Sequence, residues 1–158
     1  MSSNWTEAEV LGGTVWLWIS SEAHRDLPLH SLPAAVLPAI KRRQFVLASE
    51  EGKPVFFASW ALMNEEAEKR FLETHQLLMK PEDWSSGDRF WFIDWVAPFG
   101  HSKACFDICR NDFFKGVSAR SLYHKGHQQG RRVQYFFGSD VSKSDRKDFR
   151  HKMAQAIE

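Results

Sequence analysis

The sequence has little of several residue types, and each shortage excludes a class of protein. Its two cysteines, Cys105 and Cys109, form no CxxC pair, so neither a disulfide framework nor a zinc site is expected. The net charge of +1 gives no bulk argument for nucleic-acid binding. No transmembrane run, signal peptide or lipidation motif is visible, so we expect neither a membrane span nor export, but a reducing cytoplasm.

Aromatic residues are abundant, and nearly all of them are Phe or Trp. Thirteen Phe and seven Trp stand against two Tyr in 158 residues. Such side chains fill cores, and they also line grooves for acyl chains or partner proteins. The length and an apolar content of 43% fit one domain over residues 1–158.

Local signals predict a mixed α/β fold, a central mixed sheet flanked by helices. Thr6 begins a capping-box pattern, although VWLWI at 15–19 fits either a helix or a strand. Pro38 should kink or shorten the helix that begins at Ser31. The remaining elements are a hairpin (44–48 with 55–60), a helix capped by Asn64, a strand around residue 94, a helix from Ser102, two strands (117–123 and 132–137) and a helix from Ser142.

The most informative stretch is GDRFWFIDWVAPFG at 87–100, which is typical of a strand buried on both faces. Regular alternation would place Trp91, Ile93 and Trp95 on one face, with Phe92, Asp94 and Val96 on the other. A buried carboxylate costs several kcal/mol unless it is paired. We therefore expect a partner for Asp94.

The best candidate partner is His24, in the loop SSEAHRDLPL at 20–29. A carboxylate that fixes an imidazole tautomer makes the ring a usable base near neutral pH. Ser20 and Ser21 precede the histidine, and we assign them to loop hydrogen bonding, because no GxSxG motif supports a serine hydrolase.

Two basic clusters stand out from the near-neutral composition. They consist of Lys41, Arg42, Arg43, Arg131 and Arg132. They are either solvated charges or a docking surface for an acidic partner.

Several strings together resemble one family. VWLWISSEAHR, VLPAI, VFFASW and DWSSGDRFWFIDWVAPFG occur in the order found in the toxin-activating lysine acyltransferases, which acylate RTX protoxins such as haemolysins. The resemblance is strong from about residue 9 to residue 100. It implies a fold of the Gcn5-related acyltransferase superfamily, with the catalytic histidine at His24 and the catalytic aspartate at Asp94.

The resemblance also implies the substrates. The donor would be an acyl–acyl carrier protein, carrying its acyl group on a 4′-phosphopantetheine thioester, and the acceptors would be internal lysines of a protoxin. No resident cofactor and no metal are implied, and a homodimer is permitted. The basic clusters would dock the acidic carrier protein. The aromatic residues Trp16, Trp18, Trp91, Phe92 and Trp95 are candidates for the wall of an acyl pocket.

Some questions stay open at this stage. His24 could deprotonate the lysine directly, or accept the acyl group and pass it on. Ala35 stands where several relatives have Asn. A non-catalytic chaperone or acyl-carrier-binding module is the main alternative, and an acetyl-CoA enzyme is disfavoured because no glycine-rich phosphate loop is present.

Overall fold

Local sequence signals set most element boundaries in the computed structural model, which describes residues 4–73, 79–122 and 132–157. The helices are α1 (Glu7–Ile19), α2 (Leu32–Ala35), α3 (Leu37–Lys41), α4 (Glu65–Glu73), α5 (Ser102–Ile108) and α6 (Lys143–Ile157). The strands are β1 (Phe45–Glu50), β2 (Lys53–Met63), β3 (Arg89–Val96), β4 (Ser118–Leu122) and β5 (Val133–Phe137). These elements confirm the predicted α/β class. Contacts divide the chain into two units, residues 1–102 and 103–158, and one domain over 1–158 stays a prediction.

Helix α1 settles the ambiguity of the VWLWI segment. The Thr6 backbone N–H donates to Glu9 Oε2 (2.8 Å), and the Glu9 N–H donates to Thr6 Oγ1 (3.2 Å), so the predicted capping box forms. A Cβ on Gly13 would lie 3.2 Å from Leu47 Cδ2, so the helix packs closely on β1 at this point. The cap and this close approach give a helix rather than a strand.

Proline divides the next helical segment, as predicted. Leu32–Ala35 and Leu37–Lys41 are separate short helices, joined at Val36, whose φ is −121°. Pro38 lacks an N–H, and its ring conflicts with the carbonyl four residues earlier in a continuous helix. The break turns the chain after only a few residues.

The first unit contains an antiparallel sheet of β1, β2 and β3. Glu51 (φ 52°) and Gly52 (φ 79°) connect β1 to β2 with the paired positive φ values of a type I′ turn. On one face of this sheet, α1 to α3 form a core with the strands, comprising Val10, Leu17, Trp18, Val36, Ile40, Phe57 and Val96. The predicted hairpin is confirmed, with somewhat longer strands.

A β-bulge in β3 changes the predicted facing of its side chains. Ser59 lies opposite Asp94, whereas the next residue, Trp60, lies opposite Phe92, so β3 carries one extra residue. The rings of Phe92 and Trp95 are therefore neighbours, with centroids 5.8 Å apart. The expectation that they occupy opposite faces was wrong, because it assumed unbroken alternation.

The second unit has a simpler plan. Helix α5 leads into a π-helical turn (Cys109–Phe113), and β4 and β5 pair antiparallel. The predicted α6 begins after Ser142, whose Oγ accepts from the Asp145 N–H at 3.1 Å. Phe149 packs edge-on against Tyr135 and Phe137 of β5, with centroids 6.0 and 5.8 Å away. The last helix therefore covers the hairpin through aromatic contacts.

Candidate active site

His24 is held by a tight turn at the end of α1. The Ser21 carbonyl accepts from the His24 N–H (3.0 Å) and the Arg25 N–H (2.8 Å), which folds the loop back on the helix end. The same serine contacts the ring, with Ser21 Oγ 2.6 Å from His24 Nδ1. This turn fixes both the position and the orientation of the imidazole.

Asp94 meets His24 across 70 positions of sequence. Asp94 Oδ1 lies 2.7 Å from His24 Nε2, and the carboxylate is buried with 7% of the side chain exposed. Oδ1 also accepts from the Trp95 backbone N–H at 3.0 Å, and Oδ2 accepts from Trp18 Nε1 at 2.9 Å. Three donors therefore converge on one carboxylate, which satisfies its burial cost.

These contacts decide which nitrogen of the neutral imidazole is basic. An ionised carboxylate can only accept, so Nε2 carries the proton that points to Asp94. Nδ1 is then the lone-pair nitrogen, and it accepts from the Ser21 hydroxyl. The arrangement is Ser21–His24–Asp94, with the acidic residue on Nε2 and the hydroxyl on Nδ1.

A shallow pocket opens beside the imidazole. Its volume is about 120 Å³, and His24 and Arg25 belong to its wall. The other lining side chains are mainly apolar: Val15, Trp18, Ile19, Leu27, Leu29 and Leu32. Ile19 is 66% exposed and Leu29 is 79% exposed, so apolar surface continues outside the pocket.

The five aromatic residues predicted for an acyl pocket are not gathered at one place. Trp18 lines the pocket, with its ring centroid 5.1 Å from that of His24. Trp16 is 53% exposed on α1, and Trp91 is fully buried against Phe71 of α4. Phe92 and Trp95 pack on each other, and Phe56 packs on Trp95 at 4.7 Å, rather than facing His24.

The basic residues predicted for docking differ in their surroundings. Lys41 and Arg43 are exposed, whereas Arg42 is half-buried and donates from Nε to Ser85 Oγ at 3.2 Å. Arg132 is exposed, and Arg131 lies outside the described residues. Docking itself stays a prediction.

The described part of the chain has neither a group of metal-binding side chains nor a membrane-spanning helix. In residues 4–73, 79–122 and 132–157, no three His, Cys, Asp or Glu side chains are grouped so as to hold a metal ion. Within the same ranges, no helix has the length and apolar character needed to cross a bilayer.

Comparison with known families identifies the family of this chain. The RTX toxin acyltransferase family matches residues 3–137. The chain belongs to this family. The resemblance that the sequence strings predicted is therefore confirmed, whereas membership of the Gcn5-related superfamily stays a prediction.

Curated relatives in the family are named for lysine acylation. The RTX-I toxin-activating lysine-acyltransferase ApxIC of Actinobacillus pleuropneumoniae is 48% identical over 113 residues, which are 72% of this chain and 65% of that protein. The protein-lysine myristoyltransferase RtxC of Kingella kingae is 40% identical, over 83% of this chain and 77% of its own. HlyC of Escherichia coli, also a protein-lysine myristoyltransferase, is 39% identical over 85% of this chain and 78% of its own length. The match thus spans less than two thirds of ApxIC and more than three quarters of the other two.

Two members of the site were not identified from the sequence. Ser21 was assigned only to loop hydrogen bonding, yet its hydroxyl meets the imidazole. The available signal was its spacing, since residues three apart in a turn after a helix can touch. Trp18 was assigned to an acyl wall, and no sequence pattern indicated its bond to Asp94, which depends on how α1 packs on β3.

Proposed function

We propose that this member of the RTX toxin acyltransferase family moves a fatty acyl group from an acyl–acyl carrier protein to internal lysine ε-amines of an RTX protoxin. His24 is the general base, and Asp94 orients and stabilises it. The observation that carries the proposal is the 2.7 Å contact between these two side chains beside an apolar pocket. The lysine-acyltransferase names of relatives at 39–48% identity support the reaction class.

The chemistry follows from the tautomer. A lysine reacts as the neutral amine, which is a minor form at pH 7 because its pKa is about 10.4. The amine nitrogen bonds to the thioester carbon, the carbon–sulfur bond breaks, and the proton lost by the amine passes to His24 Nδ1. The imidazolium, stabilised by Asp94, returns that proton to the departing pantetheine thiolate.

The Ser21 hydroxyl is hydrogen-bonded to the basic nitrogen, His24 Nδ1. It donates to Nδ1 at 2.6 Å, so it must either turn aside or relay the proton. The hydrogen bond also occupies the lone pair that would attack a thioester in a route through acyl-histidine. Direct transfer is therefore the better-supported of the two routes. Incubation with donor alone tests this, because the direct route predicts no acyl adduct on the enzyme by intact mass.

The pocket beside His24 is the proposed site for the thioester end of the acyl chain. Burial of each methylene contributes about 0.8 kcal/mol, and the lining from Val15, Ile19, Leu27 and Leu32 supplies apolar contacts. A volume of about 120 Å³ is too small for a whole long chain, so the remainder would lie over exposed apolar surface such as Leu29. Of the five aromatic residues predicted for the acyl pocket, this proposal places only Trp18 in its wall.

Carrier-protein docking is proposed at Lys41 and Arg43, whose charges are exposed. Arg42 is a poorer choice for testing, because it also bonds to Ser85 and to the Pro38 carbonyl. Charge reversal at Lys41 and Arg43 should weaken carrier binding, more strongly at low salt. Binding that is unchanged by the reversal would remove this surface from the proposal. A cytoplasmic location and a homodimer likewise remain predictions.

The decisive experiment combines the purified chain with a long-chain acyl-carrier protein and a candidate protoxin, and measures the protoxin by intact mass. Wild type should add the acyl mass, and His24→Ala should lower the rate by about 10²–10⁴-fold. His101→Ala is a matched control, because His101 also contacts a carboxylate, Glu50, at 2.8 Å. It should transfer at the wild-type rate.

Two outcomes would contradict the proposal. A stable complex with the protoxin, without transfer in any condition, would favour the chaperone or acyl-carrier-binding alternative. Wild-type transfer by a folded His24→Ala protein would refute the assignment of the base.

A further inference from the structure

Trp18 contacts both members of the His–Asp pair. Its indole N–H donates to Asp94 Oδ2 at 2.9 Å, and its ring lies 5.1 Å from the His24 ring at an interplanar angle of 44°. The side chain is buried, with 6% exposed. One rigid residue therefore adjoins the carboxylate and the imidazole at once.

We infer that Trp18 is a positioning residue for His24, acting through Asp94; this inference rests on the proposed acyl transfer. The Asp94 carboxylate can rotate about its Cβ–Cγ bond, and only one orientation of its plane presents an oxygen to both His24 Nε2 and the Trp95 N–H, since a half-turn merely exchanges the two equivalent oxygens. The Trp18 donor on Oδ2 holds that orientation. It also pairs an anionic oxygen that would otherwise be buried without a donor.

Holding the carboxylate determines the state of the base. With Oδ1 on Nε2, the imidazole proton stays on Nε2 and the lone pair stays on Nδ1, toward Ser21. A carboxylate free to rotate would hold the ring less strictly in this tautomer. Groups that orient a metal-bound histidine through its second nitrogen contribute about 10–100-fold to metal affinity or activity, and we expect a factor of the same order for the orientation of His24.

The chain contains a matched interaction outside the site. Trp91 Nε1 donates to Glu68 Oε1, also at 2.9 Å, and both residues are buried. Replacing either tryptophan by Phe removes an indole N–H from a buried carboxylate. The two variants therefore carry the same chemical lesion, and only one of them adjoins His24.

The first measurement is steady-state transfer with the acyl donor varied. Trp18→Phe should lower kcat by about 10–100-fold and change KM by less than about threefold, because it removes the N–H that holds Asp94 while Phe keeps an aromatic ring in the pocket wall. Trp91→Phe should keep kcat near the wild-type value. Equal kcat losses in the two variants, or no loss in Trp18→Phe, would overturn the positioning role.

The second measurement needs no substrate, so it separates this inference from the proposed function. The ¹⁵N shifts of the His24 ring in the free protein should show Nε2–H in the wild type and in Trp91→Phe, and a mixture of tautomers in Trp18→Phe. If the His24 shifts are unchanged in Trp18→Phe, the positioning role of Trp18 is refuted. If the wild-type protein transfers no acyl group, only the proposed function is refuted. If Trp18→Phe does not fold, benzothienylalanine at position 18 removes the N–H and keeps the bicyclic shape, with the same two results expected.

Discussion

The substitution Asp94→Asn changes the charge of the site while keeping the shape of the side chain. Asp94 accepts from three donors: His24 Nε2, the Trp95 N–H and Trp18 Nε1. An asparagine has one acceptor oxygen and one NH₂ donor in the place of the two carboxylate oxygens. Whichever way the amide is turned, one side of the substituted side chain must place a donor against a donor.

The two orientations fail in different ways. If the amide oxygen faces His24, the NH₂ meets the Trp18 N–H and that bond is lost. If the NH₂ faces His24, it donates to Nε2 and moves the ring proton to Nδ1, so the lone pair points away from Ser21. In both cases the imidazolium loses its counter-charge.

These effects set the expected loss of rate. A hydrogen bond to a charged group contributes about 1.5–3 kcal/mol, which corresponds to roughly 10- to 150-fold in rate. The same substitution in a serine-protease triad costs about 10⁴-fold, because the tautomer is wrong. We therefore expect Asp94→Asn to slow acyl transfer by about 10²–10⁴-fold.

The assay is single-turnover transfer to protoxin, followed by intact mass, with circular dichroism and thermal unfolding as folding checks. Asp88→Asn is the control, since Asp88 is exposed in the loop just before β3, and it should transfer at the wild-type rate. A folded Asp94→Asn protein within about threefold of wild type, against the expected loss, would show that the carboxylate does not support His24 in the reaction.

Two further predictions concern residues outside the site. Burial raises the pKa of Asp83, but the hydrogen bonds from Arg70 and from the Lys80 backbone N–H, with the charges of both residues, outweigh it and leave that pKa below its usual value. Asp83→Asn should therefore lower the unfolding free energy by about 2 kcal/mol at neutral pH, a figure reduced because Arg70 is partly exposed. The stability difference between wild type and Asp83→Asn is complete above the usual Asp pKa, and it disappears as pH falls through the lower pKa of Asp83 in the folded protein. Urea unfolding measured across pH checks this, with Asp88→Asn as the control. A stability difference that does not change with pH would contradict the prediction. Burial, with Cys105 nearby, raises the pKa of Cys109 to about 11. Thiol reagents at pH 8 should therefore label Cys109 at least about 100-fold more slowly in the native protein than in urea. Equal labelling rates in the two conditions would refute the burial of Cys109.

Features that depend on neighbouring residues could be predicted from the sequence. The capping box at Thr6, the hairpin that follows Gln44, the break at Pro38 and the cap at Asn64 all formed. Each is decided within a few residues, because a cap, a positive φ or a missing N–H acts on the adjacent backbone. The predicted meeting of a loop histidine with a buried aspartate also holds, since such a carboxylate requires a partner.

Only the tertiary structure decided how the site is built. The extra residue in β3 cannot be read from an alternating apolar run, yet it moves Phe92 from the predicted face of Asp94 to the opposite face, beside Trp95. The donor from Trp18 depends on the docking of α1, 76 positions away in sequence. Local preferences fix where strands and helices begin and end, but contacts between distant segments depend on how those elements pack, and packing is a property of the whole fold.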